Sequence, residues 1–549
     1  MMAGAARTLT RLLPHRSDYA ELPRSWRRGV VGGATVGVVA LPLALAFGIS
    51  SGVGAAAGLV TAVVAGLVAA VFGGSNVQVS GPTGAMAVVL APIVSQYGLG
   101  SIALVTVLAG VMVVAAGGTG LGRAVTFIPW PVIEGFTLGI AIIIFLQQVP
   151  AALGRSATAG RSPLVGAWDV VRHVDWAIAG TTLAVAGLVA ALMIGLPRLH
   201  RAIPESLVAV LAATVLVVVA HVPVGRIGEL PSHLPTPVLP VADLGASKAL
   251  FGAALAIAAL AGIESLLSAR VAATMSPTGP YDPNRELVGQ GMASVASGVF
   301  GGMPATGAIA RTAVNVRSGG VTRVSAIVHS LLLLCVVYFA TGRVSAIPLC
   351  ALSAVLMVTS FRMISSRTVA RILRSTRADA LTFVLTAVVT VCFDLIEAVQ
   401  IGIVVAAVFA LRSVARRSSV TREELPGPHH AGDERIALLR LDGAMFFGVA
   451  ERISNTITDA DQPEVKVVII RMSTLGMLDA TGAHTLAQIA DELESRGITV
   501  IIKGVQAEHL DLLTNVGVID SLRHENHLID TLDSAIAHAR LHAADPSMR

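Results

Sequence analysis

The sequence is poor in charged and aromatic residues. Asp, Glu, Lys and Arg make up 13% of its 549 residues and aromatic residues 4%, whereas a soluble domain has about 25% charged residues. Its three cysteines lie in apolar stretches and lack the spacing of metal ligands. We therefore expect them to be small buried residues, and we expect neither a disulfide scaffold nor a cysteine metal site. The sequence shows no nucleophile–base–acid constellation and no cluster of metal ligands. These absences exclude a soluble enzyme, and the apolar composition excludes a disordered chain.

Charged residues are missing altogether from positions 30–122, a run of 93 residues. A membrane-spanning helix needs about 20 apolar residues, so this run alone has room for about four spans. Hydrophobic residues make up 54% of the whole chain. The sequence therefore predicts a polytopic α-helical membrane protein without enzyme activity, surrounded by membrane lipid.

The apolar segments number about fourteen, and several are shorter than the ~20 residues of a simple span. We expect residues 30–412 to form the transmembrane domain, preceded by a cytoplasmic segment of residues 1–29 that has no signal peptide. The segments begin near Val30, Ala55, Pro82, Ser101, Pro131, Trp176, Pro204, Ala249, Leu287, Ala305, Arg323, Ile347, Ala378 and Glu397.

The arginine residues indicate how the spans are oriented. Because arginine is enriched in cytoplasmic loops, the pattern places both termini in the cytoplasm and predicts a multi-pass protein of the cell membrane. The loop with Arg155, Arg161 and Arg172 follows the fifth segment and runs against the pattern. These loops account for the net charge of +5, so nucleic-acid binding is not expected. Most arginines follow even-numbered segments: Arg198, Arg201, Arg270, Arg285, Arg317, Arg323, Arg362, Arg367, Arg371, Arg374, Arg377, Arg412, Arg416 and Arg417.

The composition becomes polar after Arg412. Residues 413–433 are typical of a linker, residues 434–541 have soluble composition, and residues 542–549 form a tail. The linker follows a basic membrane exit, so we expect the next domain to be cytoplasmic. Alternating strands and helices imply a small α/β domain. The predicted elements are strands at Val465–Ile470 and Ile498–Lys503 and a helix at Ala480–Glu494.

A short internal repeat links the two halves of the transmembrane domain. The string TGAMA begins at Thr83 and the string TGAIA begins at Thr306, an offset of 223 residues. Both strings open short apolar segments and both follow a nearby proline. If seven spans repeat, the two halves have opposite topology. Short, interrupted helices at matching places in two halves indicate a transporter binding site, and two helix N-termini aimed at one point favour an anion.

Two charged residues lie inside the predicted spans. Glu264 is the only acidic residue of its apolar stretch, and a carboxylate within a span is a candidate functional group. It is either a proton or cation site or a member of a structural ion pair. Arg311 follows Gly307 by four residues on the second short helix. It neutralises a bound anion, pairs with Glu264, or marks the cytoplasmic end of the helix.

The sequence resembles the sulfate permease (SulP) family of anion transporters over nearly its whole length. The C-terminal domain resembles a STAS domain. The family implies an α-helical fold of seven-plus-seven inverted repeats with uracil-permease-like core and gate domains, a homodimer and elevator-like exchange. The matching stretches are VALPLALAFGISSG (Val39–Gly52), VSGPTGAM (Val79–Met86), IPWPVIEGFTLGIAIIIFLQQ (Ile128–Gln148), GIESLLSA (Gly262–Ala269), ELVGQGMASVASGVFGGMPATGAIARTAVNVRSGG (Glu286–Gly320) and VVIIRMSTLGMLDATGA (Val467–Ala483).

The resemblance also implies which residues bind the transported ions. In the sodium-bicarbonate branch an acid on the eighth helix and a hydroxyl four residues later hold sodium, and Glu264 and Ser268 match those positions. Arg311 differs from that branch, which has glycine there, and resembles the sulfate, chloride and C4-dicarboxylate branches. Coupling to sodium and coupling to protons through Glu264 therefore both stay open, and no other cofactor is expected. The substrate site maps to Thr83, Gly84, Ala85, Gly307, Ala308 and Ile309, beside Arg311.

Within the STAS-like domain, Thr481 takes the position of a serine that is phosphorylated in antagonist relatives. It is either a regulatory site that binds a cytoplasmic partner or part of an ordinary helix-capping turn. For the whole protein, the predicted function is secondary active transport of a small inorganic anion of the sulfate or bicarbonate class. The alternatives are a C4-dicarboxylate transporter of the same family, an anion channel, and a membrane-tethered STAS regulator.

Overall fold

The computed structural model divides the chain into two units, Met1–Ile403 and Val404–Arg549. The predicted domain boundaries at residues 29, 412, 433 and 541 stay predictions. The described residues are 14–19, 21–123, 129–155, 162–199, 204–240, 247–276, 281–392, 418–446 and 465–544, with scattered positions between 401 and 415.

The first unit is built from α-helices and two very short strands. Seven of its described helices are long and apolar enough to cross a membrane, and shorter apolar helices lie among them. The elements are α1 (Leu22–Ser50), α2 (Ala55–Phe72), β1 (Ser80–Gly81), α3 (Gly84–Tyr97), α4 (Gly100–Gly118), α5 (Trp130–Ala152), α6 (Pro163–Arg172), α7 (Trp176–Leu199), α8 (Glu205–Val219), α9 (Ser247–Met275), α10 (Pro283–Val299), β2 (Thr306–Gly307), α11 (Ile309–Arg317), α12 (Val324–Phe339), α13 (Thr341–Val344), α14 (Leu349–Met363), α15 (Ser366–Leu373) and α16 (Arg377–Cys392).

The predicted spans agree closely with these helices. Twelve of the fourteen predicted starts lie within four residues of a helix start. The first helix begins at Leu22, eight residues before the predicted start at Val30, because it includes a polar, arginine-bearing turn before the apolar run. The predicted last span, near Glu397, lies outside the described residues. The prediction of a polytopic helical protein is confirmed.

Small residues let the helices of this unit approach closely. Gly110 on α4 and Gly291 on α10 face each other, and a Cβ added to Gly110 would lie 2.7 Å from the carbonyl oxygen of Gly291. A Cβ on Gly291 would lie 2.6 Å from the carbonyl oxygen of Gly110. Such contacts replace the hydrophobic driving force that is weak between helices in lipid. Of the three cysteines, which we expected to be small buried residues, only Cys350 is buried, whereas Cys335 and Cys392 are exposed.

The two short strands join the halves of the unit. β1 and β2 pair antiparallel, with Ser80 opposite Gly307 and Gly81 opposite Thr306. Each strand leads within a few residues into a helix, β1 into α3 and β2 into α11. The predicted repeat is therefore visible as two matching strand–helix connections that meet in the interior.

The second unit is an α/β domain with a mostly parallel sheet. The strand order is β3-β4-β5-β7-β8, with β6 paired to β4 and β3 antiparallel to β4. Apolar residues pack on both faces of the sheet, with α17 on one face and α19 on the other. This confirms the predicted alternation of strands and helices. The elements are β3 (Ser419–Glu423), β4 (Ile436–Met445), β5 (Val467–Arg471), β6 (Leu475–Leu478), α17 (Ala480–Ser495), β7 (Thr499–Lys503), α18 (Ala507–Val516), β8 (Leu528–Ile529) and α19 (Leu532–Ala544).

Candidate functional site

The N-terminal ends of α3 and α11 are brought together by the β1–β2 pair. Thr83 occupies the N-cap position of α3, and Ala308 occupies the N-cap position of α11. Thr83, Ala85 and Ala308 are buried, whereas the side chain of Ile309 is exposed. The side chain of Asn315 on α11 holds the segment just before β1, because its Nδ2 donates to the carbonyl oxygen of Val77 at 2.7 Å.

Neither of these helix ends has a side-chain cap. The first N–H groups of a helix have no partner inside the helix, and they carry a partial positive charge. Thr83 is a residue type that commonly caps helices, but its hydroxyl donates to the Glu264 carboxylate at 3.0 Å instead. Two uncapped helix ends therefore present N–H groups that can donate hydrogen bonds to a bound anion.

The carboxylate of Glu264 on α9 lies between the two connections. Its Oε2 accepts hydrogen bonds from Thr83 Oγ1 at 3.0 Å and from Thr306 Oγ1 at 2.9 Å. The two hydroxyl oxygens are themselves 3.0 Å apart. One carboxylate thus contacts both halves of the repeat at equivalent positions, which makes its charge part of the site.

The next residue on α9, Ser265, fixes the backbone of β2. Its Oγ accepts a hydrogen bond from the Gly307 N–H at 3.1 Å, and its carbonyl oxygen accepts one from Gln78 Nε2 at 3.3 Å. A Cβ added to Gly307 would lie only 1.5 Å from Gln78 Nε2. A larger residue at position 307 would therefore displace the Gln78 side chain from its hydrogen bond to Ser265.

The guanidinium of Arg311 lies beside the start of α3. Its Nη2 donates to the carbonyl oxygen of Pro82 at 2.7 Å. The side chain is 3% exposed, and its Nη1 has no hydrogen-bond partner among the described residues. Arg311 and Glu264 attract each other electrostatically, but their hydrogen bonds go to neighbouring groups. Because a guanidinium stays protonated, Arg311 provides a fixed positive charge with an unused donor.

Ser268 is one helical turn beyond Glu264 on α9. It is fully buried, and its Oγ has no hydrogen-bond partner among the described residues. A carboxylate and a hydroxyl on the same face of one helix provide the oxygen ligands that a small hard cation prefers. The pair therefore fits a cation as well as a proton.

The residues predicted for substrate and ion binding converge on this site, although their roles stay predictions. Arg311 is buried in the first turn of α11, and the alternative that it marks the cytoplasmic end of the helix stays a prediction. The sequence analysis missed Thr306, Ser265 and Gln78. Thr306 could have been identified from the sequence, since it is the repeat equivalent of Thr83. The predicted residues that lie here are Thr83, Gly84, Ala85, Gly307, Ala308, Ile309, Arg311, Glu264 and Ser268.

Thr481 belongs to the second unit and lies in the first turn of α17. Asp479 caps this helix, since its Oδ1 accepts a hydrogen bond from the Gly482 N–H at 2.8 Å. The Thr481 side chain is exposed. The predicted cap is present, and the hydroxyl is accessible at a helix end where a phosphate is tolerated.

Three histidines of the second unit also lie together, although the sequence analysis identified no cluster of metal ligands. They are His527, His538 and His542. Burial lowers the pKa of His527 to about 4, and the neighbouring His542, His538, His524 and Arg523 add to the shift. The ring of His527 is therefore neutral at pH 7.

A bundle of membrane-spanning helices in which two interrupted helices meet is the architecture of a secondary transporter. The comparison with protein families agrees with this class. Residues 27–386 match the sulfate permease family and residues 428–535 match the STAS domain. The chain belongs to the sulfate permease family, as an anion transporter with a C-terminal STAS domain and not as an enzyme.

Individual relatives match over most of their length. YvdB of Bacillus subtilis is 35% identical over 93% of this chain and 97% of its own. The bicarbonate transporter BicA of Picosynechococcus is 32% identical, over 80% of this chain and 82% of its own. The solved transmembrane domain of a cyanobacterial BicA has a TM-score of 0.61 and 33% identity, and the match covers 71% of this chain and 98% of that domain.

The whole chain also resembles a solved structure of a mammalian protein. The murine Solute Carrier 26 family member A9 anion transporter, in the inward-facing state, matches with a TM-score of 0.85. The match covers 97% of this chain and 94% of the murine chain at 17% identity. This similarity shows the fold, with a transmembrane region of inverted repeats followed by an α/β domain.

Proposed function

We propose that the protein is a secondary active transporter that binds a small inorganic anion, of the sulfate or bicarbonate class, between the N-terminal ends of α3 and α11. The observation that carries the proposal is the pair of uncapped helix ends beside the buried Nη1 of Arg311, which has no hydrogen-bond partner among the described residues. A compact oxyanion has several acceptor oxygens. These match the N–H groups of the two helix ends and the Nη1 of Arg311. The fixed charge of Arg311 favours the sulfate class as much as bicarbonate.

Glu264 couples the transport of the anion to a proton or a sodium ion. When its carboxylate is ionised, it partly offsets the positive charge of Arg311 and accepts the hydrogen bonds of both threonines. Binding of a proton, or of sodium to Glu264 and Ser268, removes this negative charge from the field of the anion. Each ion then strengthens the binding of the other by the same factor.

The packing of the helices supports an elevator-like movement. The extensive helix pairings fall into two sets. Of the helices that form the site, α9 and α11 belong to one set, and α3 contacts both sets. One set pairs α1, α2, α4, α9, α10, α11 and α12, and the other pairs α5, α7, α8, α14 and α16. The set that contains α9 and α11 moves past the other set together with α3, which the β1–β2 pairing ties to α11, and exposes the anion alternately on each side of the cell membrane. Both termini lie in the cytoplasm, and the protein forms a homodimer.

The STAS domain regulates transport through a cytoplasmic partner. The accessible hydroxyl of Thr481 at the start of α17 supports this role. Thr481→Glu, which places a negative charge at the helix end, should change transport rate without changing the preferred anion. Thr485→Glu, one turn further along α17, is the control.

The test is reconstitution of the full chain into liposomes, with uptake of labelled bicarbonate, sulfate, chloride and C4-dicarboxylates measured under imposed pH and sodium gradients. Concentrative uptake of an inorganic anion that depends on one of the gradients is expected. Uptake of dicarboxylates alone would identify the protein as a C4-dicarboxylate transporter and not an inorganic-anion transporter. Dissipative flux without accumulation would identify an anion channel, and no flux of any anion would leave a STAS regulator as the better explanation.

A further inference from the structure

The second unit contains a histidine cluster that anion transport does not use. His538 and His542 lie one turn apart on α19, and His527 ends a 3-10 helix just before β8. The coordinating nitrogens of the three rings all lie within 4.8 Å of one another. The ring centroid of His527 is 5.4 Å from that of His538 and 5.1 Å from that of His542. Residues from two separate elements thus converge on one point.

His527 is the buried member of the cluster. Its side chain is fully buried, and neither ring nitrogen has a hydrogen-bond partner among the described residues. Buried polar atoms are nearly always satisfied, so two unpartnered nitrogens on one ring require an explanation. A ligand shared with the neighbouring rings of His538 and His542 would provide a partner for a nitrogen of His527.

The spacing of the nitrogens is close to that of a metal site. His538 Nε2 and His542 Nε2 are 3.2 Å apart. Zinc–nitrogen bonds of about 2.0–2.1 Å place two tetrahedral ligands about 3.3 Å apart. The most distant pair of nitrogens, up to 4.8 Å apart, would have to approach by about 1.5 Å to reach this distance. Rotation of the half-buried side chains of His538 and His542 can provide such a movement.

We propose that His527, His538 and His542 bind a divalent transition-metal ion of the zinc class through three imidazole nitrogens. An all-nitrogen ligand set selects zinc, nickel or copper over calcium and magnesium, which prefer oxygen ligands. Water would supply the fourth ligand. The exposed ring of His524 has its centroid 5.6 Å from that of His527.

A bound ion links α19 to the segment that precedes β8. α19 packs across the face of the sheet formed by β4, β5, β7 and β8, whereas His527 belongs to the chain entering the last strand. The metal therefore fastens the C-terminal helix at the edge of the sheet and stabilises the folded domain by mass action. The competing explanation is a direct hydrogen bond between neutral His538 and His542 without any ion.

The experiment titrates zinc and cobalt into the full chain, purified with a tag that contains no histidine and stripped with a chelator. We expect one equivalent of metal per chain, a tetrahedral cobalt absorption spectrum that zinc abolishes, and slower hydrogen exchange in α19 when metal is bound. His538→Ala/His542→Ala should lose the stoichiometric binding and the slower exchange. His484→Ala, an exposed histidine on α17, should keep both.

Hydrogen exchange in β5 and β7 shows whether the double variant is folded, and unchanged protection there makes the loss of metal specific to the site. Two results would overturn the proposal. One is a folded wild-type chain that binds no stoichiometric metal, which would leave the histidine–histidine hydrogen bond as the explanation. The other is a double variant that binds metal as tightly as the wild type.

Discussion

The hydroxyl oxygens of Thr306 and Thr83 lie 3.0 Å apart, although the two residues are 223 positions apart in the chain. That separation equals the offset of the internal repeat. The two threonines are thus equivalent residues of the two halves. Both also lie against the same oxygen of Glu264, so the acid that we propose as the coupling group contacts both halves.

Glu264→Gln should keep anion binding and lose gradient-driven accumulation. Glutamine retains the shape of the side chain and an acceptor oxygen for Thr83 and Thr306, but it cannot gain or lose a proton. Binding is measured by calorimetry, and accumulation is measured in liposomes under a pH or sodium gradient. Glu134→Gln is the control, since Glu134 pairs with Trp130 at an exposed part of α5. Concentrative uptake that survives in Glu264→Gln would place the coupling site elsewhere.

Arg311→Ala should weaken binding of the anion itself. Hydrogen bonds to charged groups contribute about 1.5–3 kcal/mol, which corresponds to an affinity loss of about 10- to 100-fold. Arg311→Lys restores the charge without the paired donors and should recover only part of the loss. Arg317→Ala, an exposed arginine at the other end of α11, should bind like the wild type. Equal affinities in all three variants would remove Arg311 from the substrate site.

Gly307→Ala should abolish transport by disrupting the β2 connection. The added Cβ would overlap Gln78 Nε2, and overpacking of a buried position costs about 1–3 kcal/mol. Gln78→Ala in the same chain removes the overlapping amide and should restore part of the uptake. Gly187→Ala on α7 has open space around it and serves as the control. Full activity of Gly307→Ala would show that the connection tolerates a larger residue.

Asp433 should make the stability of the second unit depend on pH. The Arg540 side chain donates to Asp433 Oδ1 at 2.8 Å and to Oδ2 at 2.9 Å. These bonds hold the pKa of Asp433 well below its usual value of 3.8. The unfolded chain therefore binds the proton more readily, so the stabilisation is complete above about pH 4–5 and is lost as the pH falls below that range.

The measurement for Asp433 is hydrogen exchange in α19, corrected for intrinsic rates, in the wild type and in Asp433→Asn. At pH 7 the variant should exchange faster, because asparagine cannot form the charge-assisted pair with Arg540. The difference should persist to about pH 4 and shrink at lower pH. Asp530→Asn, at an exposed position before α19, is the control. A difference in exchange rate that stays constant from pH 7 to below about pH 4 would contradict the stabilising role of the Asp433 charge.

The helices and their order were predictable because charge-free runs and arginine positions follow directly from the cost of placing charge in lipid. The shared contact of Thr83 and Thr306 with Glu264 was not predictable, since the residues are 181 and 42 positions from Glu264 and only the fold brings them together. The sequence predicts that His538 and His542 lie one helical turn apart, since they are separated by four positions on one helix. Their meeting with His527 depends on how α19 packs on the sheet, which the sequence pattern does not specify.

The β1–β2 pairing has a consequence for the energetics of the transport cycle. Backbone hydrogen bonds tie the starts of α3 and α11 to each other, so neither helix end is able to move without the other. In the elevator-like movement that we propose, the two helix ends would travel together and keep the same donors at the same distances. The anion would then meet equal intrinsic affinity on the two faces of the membrane.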